Sequence, residues 1–521
     1  MRSRSLGFAA LVVTTGLVGL AQQRQEPPTR SAFKQRTHDV PTPGRLGALR
    51  SEMPPPMTVD ASGVAVPRPD VWDVDSVTGA QYRRGEVLVR FREGADAIGR
   101  LRALRTARGT RAARSAGGDW TLVELEPGTE PREAIRALRA GGDIAEASLN
   151  YRVRTRQFRP NDEFHHLQWN FTAINLPVAW EINPGARNDV VVAVIDTGLN
   201  IVSDTFVFVS PFGDIPVRFA AVPDLVTDDR IVNPYDFVYD DEFPVDLGGH
   251  GTHVAGTIAQ QTNNNIGVAG VAFNVRLMPL KVLTGGAFLT SWDDVFNPGN
   301  PGGTVAIIAD AIRYAADNNA RVINLSLGGP GPAPPLRDAI SYAVSRGAFV
   351  AIAAGNSGDE GNPIDYPAAY AEDINGAMAV GAVNRSLRRT TYSSFHPYVE
   401  ICAPGGELNA FFDFENGITQ TGYREDSTLS FLTLGEKVAA LALGFRPRFD
   451  DFELRPFQGT SMAAPHVAGV AALLYSQGIT NPGAIEEAIK RFAQPISASA
   501  EECGAGLIDA RRALRGFGLA R

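Results

Sequence analysis

Two cysteines in 521 residues are too few for a disulfide-dense scaffold. Cys402 and Cys503 either pair or remain two buried thiols, and the sequence leaves both open. A basic surplus is also missing. The net charge is −8, which argues against nucleic acid or an anionic membrane as the main partner. After the N-terminal segment no apolar run is long enough to cross a bilayer. The apolar fraction is still 44%, ample for a large core, and the length allows more than one domain.

Residues 1–21 read as a secretory signal. Arg2 and Arg4 supply its positive start, and residues 6–20 form an apolar stretch too short and too poorly flanked to span. Gly19-Leu20-Ala21 puts small residues at a cleavage site. The alternative is an uncleaved anchor. The expected location is therefore secreted, extracellular or periplasmic, with no membrane attachment after cleavage. Residues 22–81 are rich in Pro, Arg and Ser and read as a disordered linker.

The pattern changes in residues 82–155. Strand-like runs at 86–91, 120–125 and 144–151 alternate with helical stretches at 95–108 and 132–140. This order predicts a small α+β, ferredoxin-like domain. Residues 156–521 alternate strand and helix signals, the pattern of a three-layer α/β fold with a mainly parallel sheet. Strands are predicted at 191–195, 277–283, 322–327, 349–353 and 377–383. Helices are predicted at 250–260, 305–318, 336–346, 461–475, 481–492 and 509–514. Asp196 then falls at the C-terminal end of a buried strand, where sites form in such sheets. Residues 201–247 and 406–456 read as insertions.

Three motifs carry the chemistry. Gln458-Gly459-Thr460-Ser461-Met462-Ala463-Ala464-Pro465-His466 runs from a glycine turn into an Ala-rich helix. Ser461 thus sits near a helix N-terminus, where unpaired N–H groups can meet an oxyanion. By itself such a serine is usually an N-cap. The other motifs are Gly249-His250-Gly251-Thr252-His253-Val254-Ala255-Gly256-Thr257 and Val191-Val192-Ala193-Val194-Ile195-Asp196-Thr197-Gly198.

Together the three resemble the subtilisin-like serine proteases, in that family's chain order of Asp, His and Ser. The resemblance covers the chain from about residue 160 and implies a subtilisin-like fold. It implies Ser461 as nucleophile, His250 as base and Asp196 as its partner. His253 and His466 read as structural. Asn356, in Ala353-Ala354-Gly355-Asn356-Ser357-Gly358, matches the family's oxyanion-hole asparagine. Ser326, Leu327 and Gly328 resemble the edge that pairs with an extended substrate, and Gly355 lies in the opposite wall of the primary pocket. Asp365, before Tyr366-Pro367, falls where the family places a pocket-floor residue, and a carboxylate there would favour Lys or Arg.

The resemblance also implies calcium. Thr262-Asn263-Asn264-Asn265-Ile266-Gly267-Val268 looks like the family's calcium loop. By the match Asn264 and the carbonyls of Thr262, Ile266 and Val268 are ligands, with Gln168 and Asp204 completing the site. Asp236, Asp240, Asp241 and Asp246 hold a second ion or form a solvated acidic loop. The 82–155 domain resembles the family's propeptide, which assists folding and then inhibits. Arg152, Arg154, Arg156 and Arg159 offer basic cleavage points after it. The expected protein is a monomeric, calcium-stabilised, self-processing endopeptidase acting on proteins or peptides, with its own propeptide as inhibitor. Two alternatives stand beside it: a catalytically silent binding protein of this fold, and a processing protease of narrow specificity.

Overall fold

The computed structural model describes residues 72–106, 108–115, 118–152, 158–210, 213–227, 229–285, 302–410, 412–428 and 434–516. It also describes two short paired strands, β1 (Met57–Val59) and β2 (Ala65–Pro67). The signal at 1–21, most of the linker and the basic junction at 153–157 lie outside the described residues. The chain forms two compact units, one within 23–156 and the other from residue 157 onward.

The first unit is an antiparallel sheet with two helices. Its strands are β3 (Trp72–Val74), β4 (Gln81–Phe91), β5 (Gly109–Ser115), β6 (Trp120–Leu125) and β7 (Ile144–Tyr151). The helices are α1 (Ala97–Thr106) and α2 (Pro131–Ala140). β4 pairs with β3, β6 and β7, and β5 pairs with β6. Val87, Val89, Val123 and Leu149 meet Ala134, Ile135 and Leu138 of α2 in one core.

Two expectations are corrected here. Residues 72–81 belong to this sheet and are not part of a disordered linker. Their anchor is tertiary: the buried Asp75 carboxylate accepts from Tyr151 Oη at 2.7 Å, from Thr78 Oγ1 at 2.7 Å and from Arg132. β5 was not expected either. Gly109-Thr110-Arg111-Ala112-Ala113-Arg114-Ser115 has no apolar alternation, and its strand exists through backbone pairing to β6.

The second unit is built on a seven-stranded, wholly parallel sheet. In chain order its strands are β8 (Val191–Asp196), then β11 (Tyr235–Asp236) and β12 (Arg276–Lys281). β13 (Val322–Leu325), β14 (Phe349–Ala353), β15 (Ala377–Val383) and β16 (Val399–Pro404) follow. The spatial order is β11-β12-β8-β13-β14-β15-β16. Inside β8, Val192 and Val194 enter one core while Val191, Ala193 and Ile195 enter the other. That is why the run is apolar without alternation. α3 (His250–Ala259) and α6 (Thr460–Ser476) cover the first face. α4 (Val305–Asp317) and α5 (Pro334–Ser345) cover the second. β13 stops at Leu325, so Ser326, Leu327 and Gly328 run beyond the strand. Cys402 of β16 and Cys503 form a disulfide, which resolves the choice the sequence left open.

The two insertions fold together. β9 (Asp204–Ser210) and β10 (Gly213–Phe219) form a hairpin in the first insertion. β10 pairs in parallel with β18 (Arg448–Phe449) of the second. Phe219 stacks on Phe449 at 5.2 Å, and Tyr423 packs edge-on to Phe449 at 5.3 Å. A hairpin of β17 (Ile418–Tyr423) and β19 (Phe452–Phe457) completes the structure.

Candidate active site

α3 starts one residue after Gly249, hard against the end of β8. A Cβ on Gly251 would lie 2.3 Å from Gly198 O, so only glycine permits this approach. The approach brings His250 to Asp196. Nδ1 of His250 and Oδ1 of Asp196 are 2.7 Å apart, with Asp196 fully buried and the His250 side chain 30% exposed. Burial opposes the charged imidazole, but the Asp196 charge and hydrogen bond outweigh it, and Asp246 adds to them. The ring therefore titrates above its ordinary value.

Asp246 fixes the start of α3. Its Oδ1 accepts from Thr197 Oγ1, Gly248 N and Gly249 N at 2.8–2.9 Å, and its Oδ2 accepts from Thr252 N and Oγ1. Thr197 Oγ1 in turn accepts from Gly251 N at 2.8 Å. The suggested second-ion role for Asp246 is thereby corrected: its oxygens are committed to donors around the helix start. Asp236 accepts from Val238 N and Tyr239 N, Asp240 from Tyr235 Oη and Asp241 from Phe243 N. Among the described residues no group of three or more His, Cys, Asp or Glu side chains is placed to hold a metal. Behind the site, fully buried Lys281 donates to Thr197 O at 2.7 Å and Leu283 O at 2.8 Å.

Ser461 is the second residue of α6. Gly459 before it has φ +143° and ψ 162°, a region open essentially to glycine alone. The Ser461 hydroxyl donates to Ser326 O at 3.2 Å, and the Ser326 hydroxyl donates back to Ser461 O at 2.8 Å. Asn356 Oδ1 accepts from Thr460 N at 2.8 Å and Thr460 Oγ1 at 2.9 Å. Because a backbone N–H can only donate, the facing atom is the amide oxygen, which leaves Nδ2 as a donor. Thr460 Oγ1 also accepts from Gly355 N. Thr460 is thus a positioning residue that motif reading did not single out.

His253 and His466 serve packing. His253 Nε2 lies 2.9 Å from Ile418 O and 3.1 Å from Arg455 O, and its ring stacks on Phe457 at 4.5 Å. Burial lowers its titration to about 3. It latches the β17–β19 hairpin onto the helix that carries His250. Tyr423 Oη adds a contact of 3.1 Å to Thr252 Oγ1. His466 bridges Met462 O and the Asn170 amide, each at 2.8 Å, and burial lowers it to about 4.

The expected calcium residues are only partly brought together. Gln168 Oε1 accepts from Ala269 N and faces His165 Nδ1, while its Nε2 donates to Ala269 O and Thr419 O. Both ends are in use, which corrects the ligand assignment of Gln168. Asp204 begins β9 and accepts from Thr205 N. The carboxylates at the loop are instead Asp162 and Asp224. Asp162 accepts from Asn263 N and Asn264 N, and Asp224 accepts from the Asn264 and Gln260 amides. Burial, with the Asp162 charge adding to it, pushes Asp224 up to about 6. A buried carboxylate and a half-buried one, both reaching Asn264, are hard oxygen donors of the kind a hard cation takes. The sequence signal for Asp162 was its place beside Asn161 at the start of the second unit; Asp224 had none.

An Asp–His pair at the C-terminal end of a parallel sheet, with a serine at the N-terminus of a helix packed on the same face, is the arrangement of a serine hydrolase. Comparison with known proteins narrows the class. The profile of the Subtilase family matches residues 187–506, and that of the fervidolysin N-terminal prodomain matches residues 70–150. A thermophilic serine proteinase of Bacillus sp. strain AK1 is 32% identical, over 80% of this chain and 84% of that one. An extracellular protease of Xanthomonas campestris is 30% identical, over 85% of this chain and 74% of that one. A solved protease structure from Pseudoalteromonas arctica superposes with a TM-score of 0.52 at 30% identity, over 69% of this chain and 99% of that one. The chain belongs to the subtilase family. It is a subtilisin-like serine endopeptidase with an N-terminal prodomain, acting on protein substrates, and the silent-fold alternative falls away.

Proposed function

We propose that this chain is a secreted pro-enzyme that hydrolyses peptide bonds through an acyl-enzyme on Ser461 and removes its own prodomain. The observation that carries the chemistry is the 2.7 Å pairing of Asp196 with His250 at the C-terminal end of the sheet, with Asn356 bound to Thr460, the residue before Ser461. For attack, the Ser461 hydroxyl rotates from Ser326 O toward His250 Nε2. The Oγ–carbon bond forms as the Oγ proton passes to His250. The carbonyl oxygen becomes an oxyanion, met by Asn356 Nδ2 and Ser461 N–H. The carbon–nitrogen bond then breaks, and His250 gives its proton to the leaving amine. Water repeats the sequence to free the acid and restore Ser461. Asp196 keeps the Nδ1 proton in place and stabilises the imidazolium.

Secretion is supported by the signal-like residues 1–21 and by the extracellular relative. Among the described residues no helix is long and apolar enough to cross a membrane. The prodomain serves as folding aid and inhibitor, and the mature enzyme works as a monomer. Calcium would be held by Asp162, Asp224, Asn264 and the carbonyls of Thr262, Ile266 and Val268. When bound, it supplies positive charge that offsets the two carboxylates and ties the loop down. Chelation is expected to lower the thermal midpoint, and an unchanged midpoint would remove calcium from this reading.

The deciding experiment is intact mass and N-terminal sequencing of wild type and Ser461→Ala, made side by side. Wild type is expected to start between residues 153 and 164, while Ser461→Ala retains the prodomain. Activity of the variant should fall about 10⁶-fold in kcat, the scale measured for this serine in subtilisin. Identical trimming of both chains would refute self-processing. Failure of wild type to react with a serine-directed phosphonate would refute the acyl-enzyme.

A further inference from the structure

β9 is an edge strand without the features that usually protect an edge. Its residues, Asp204-Thr205-Phe206-Val207-Phe208-Val209-Ser210, include no lysine and no proline, and its register with β10 runs unbroken. Edges of soluble proteins are ordinarily blunted by such residues or by a bulge. β10 covers one side of β9, and among the described residues no strand pairs with the other. The register fixes which backbone groups that other side presents. Val207 faces Pro216, which has no N–H, so the bonds between the two strands pass through Phe206 and Phe208. By alternation the N–H and C=O of Val207 and Val209 point to the open side.

The side chains at this edge are apolar on both faces. Val207 is 60% and Val209 79% exposed, while Phe206 and Phe208 turn inward to the aromatic core of the insertions. Phe243, 42% exposed, packs on Phe206 at 5.6 Å, and Tyr239, 37% exposed, packs on Phe208 at 5.7 Å. A strand added here would meet exposed valines on one face and these rings on the other. Backbone pairing would hold it, and its alternate side chains would be selected for apolar character.

We propose that β9 is a docking strand for protein substrates: an extended segment with alternating apolar residues adds to its open edge while another segment of the same polypeptide lies in the active site. Two observations favour this occupant over a second copy of the chain. Tyr239 and Phe243 stand on the segment that runs through Val245 and Leu247 to His250. Val245 and Leu247 enter the same core as β10 and Tyr423, and the Tyr423 ring abuts Gly249. The open edge is thus continuous with the segment that enters the active site. A seven-residue strand also offers far less area than the roughly 1,200 Å² that a stable interface between two proteins buries. A polypeptide already held in the cleft needs no such area, because tethering raises the local concentration of its other segments.

The test compares an unfolded protein, lysozyme reduced and blocked with iodoacetamide, with a short peptide anilide that reaches the active site alone. Val207→Lys combined with Val209→Lys protects the edge as natural edges are protected. KM for the unfolded lysozyme is expected to rise about tenfold, with kcat and the anilide kinetics unchanged. Val207→Pro, which removes the open N–H, should act in the same direction. An unchanged KM for lysozyme overturns the proposal. So does an equal loss on both substrates, which would place the effect in the active site. Wild type is tested without substitution by a blocked hexapeptide of alternating Thr and Val. It should compete with lysozyme and leave anilide cleavage untouched, and its N-methylated form should do neither. Failure of that selective competition overturns the proposal even if no variant folds. A wild-type dimer in sedimentation that the two lysines dissociate overturns it in favour of a second copy.

Discussion

The two units handle charge in opposite ways. In the prodomain most ion pairs lie on the surface: Arg83–Glu86, Arg84–Asp73 and Arg90–Glu146 are all partly or largely exposed. Pairs of this kind contribute little. Asp75 is the exception, buried among Tyr151, Thr78 and Arg132. In the peptidase unit the important charges are sunk at the C-terminal end of the sheet. Asp196, Asp246 and Lys281 are fully buried, and each is held by named hydrogen bonds. The prodomain has one small core, while the peptidase unit has an extensive core on each face of its sheet. A unit of about 80 residues with a small core is marginal. On the proposed pro-enzyme reading the prodomain is given up after folding and can be marginal, whereas a site that must stay rigid cannot.

Several measurements would break or sharpen this contrast. The largest expected effect is on the reaction. Asn356→Leu keeps the serine and histidine but removes the Nδ2 donor. A loss of roughly 10²–10³ in kcat with little change in KM is expected, the scale known for the equivalent donor in subtilisin. A loss confined to KM would show that the amide binds substrate and does not meet the oxyanion.

Next is the buried charge that sets the helix start. Asp246→Ala removes the acceptor of five hydrogen bonds from three backbone amides and two hydroxyls. A cost of about 3 kcal/mol in stability is expected, read by denaturant unfolding of the processed unit. A change under about 0.5 kcal/mol, the range of ordinary surface substitutions, would make Asp246 no different from the exposed pairs of the prodomain.

The pH profile gives the third. In the proposed reaction His250 must be neutral to take the Ser461 proton, and its pairing with Asp196 raises its titration above the ordinary value. Activity should therefore fall about tenfold per pH unit below that raised value. Asp196→Asn removes the charge that raises it, so the surviving activity should titrate at lower pH. A limb that does not move would mean that another group controls the profile.

The smallest effect lies in the prodomain. The Tyr151 hydrogen bond, with those of Thr78 and Arg132, holds the Asp75 carboxyl well below the usual carboxylate range, against the opposing effect of burial. A depressed folded value stabilises the unit above the unfolded value of about 4, and that stability is lost as pH falls toward the folded value. Pepsin digestion of the Ser461→Ala pro-enzyme should accelerate at the prodomain below about pH 4. In Asp75→Asn that acceleration should be absent, with the unit cut more readily by trypsin at neutral pH.

Much of this protein was legible in its sequence, and the parts that were not share a cause. The strand ending in Asp196 could be read because burial on both faces demands an unbroken apolar run. The helix starts at His250 and Thr460 could be read because a glycine precedes each of them. β5 was silent, since its residues pair through backbone atoms that every sequence has. Asp162 and Asp224, 62 positions apart in the chain, both reach Asn264, and no local pattern marks the second of them.

Sequence alone determined the class of chemistry, the chain order of Asp196, His250 and Ser461, and the parallel sheet that carries them. These follow from local rules: apolar runs, turn glycines and helix starts act over a few residues. Tertiary structure alone decided that Cys402 pairs with Cys503 and that the two insertions close on one aromatic core. It also decided that Gln168 is spent on backbone groups and that Asp365 and Ser394 face one point between Gly328 and Gly355. Each of those depends on atoms that are distant in the chain and are brought together only when the core packs.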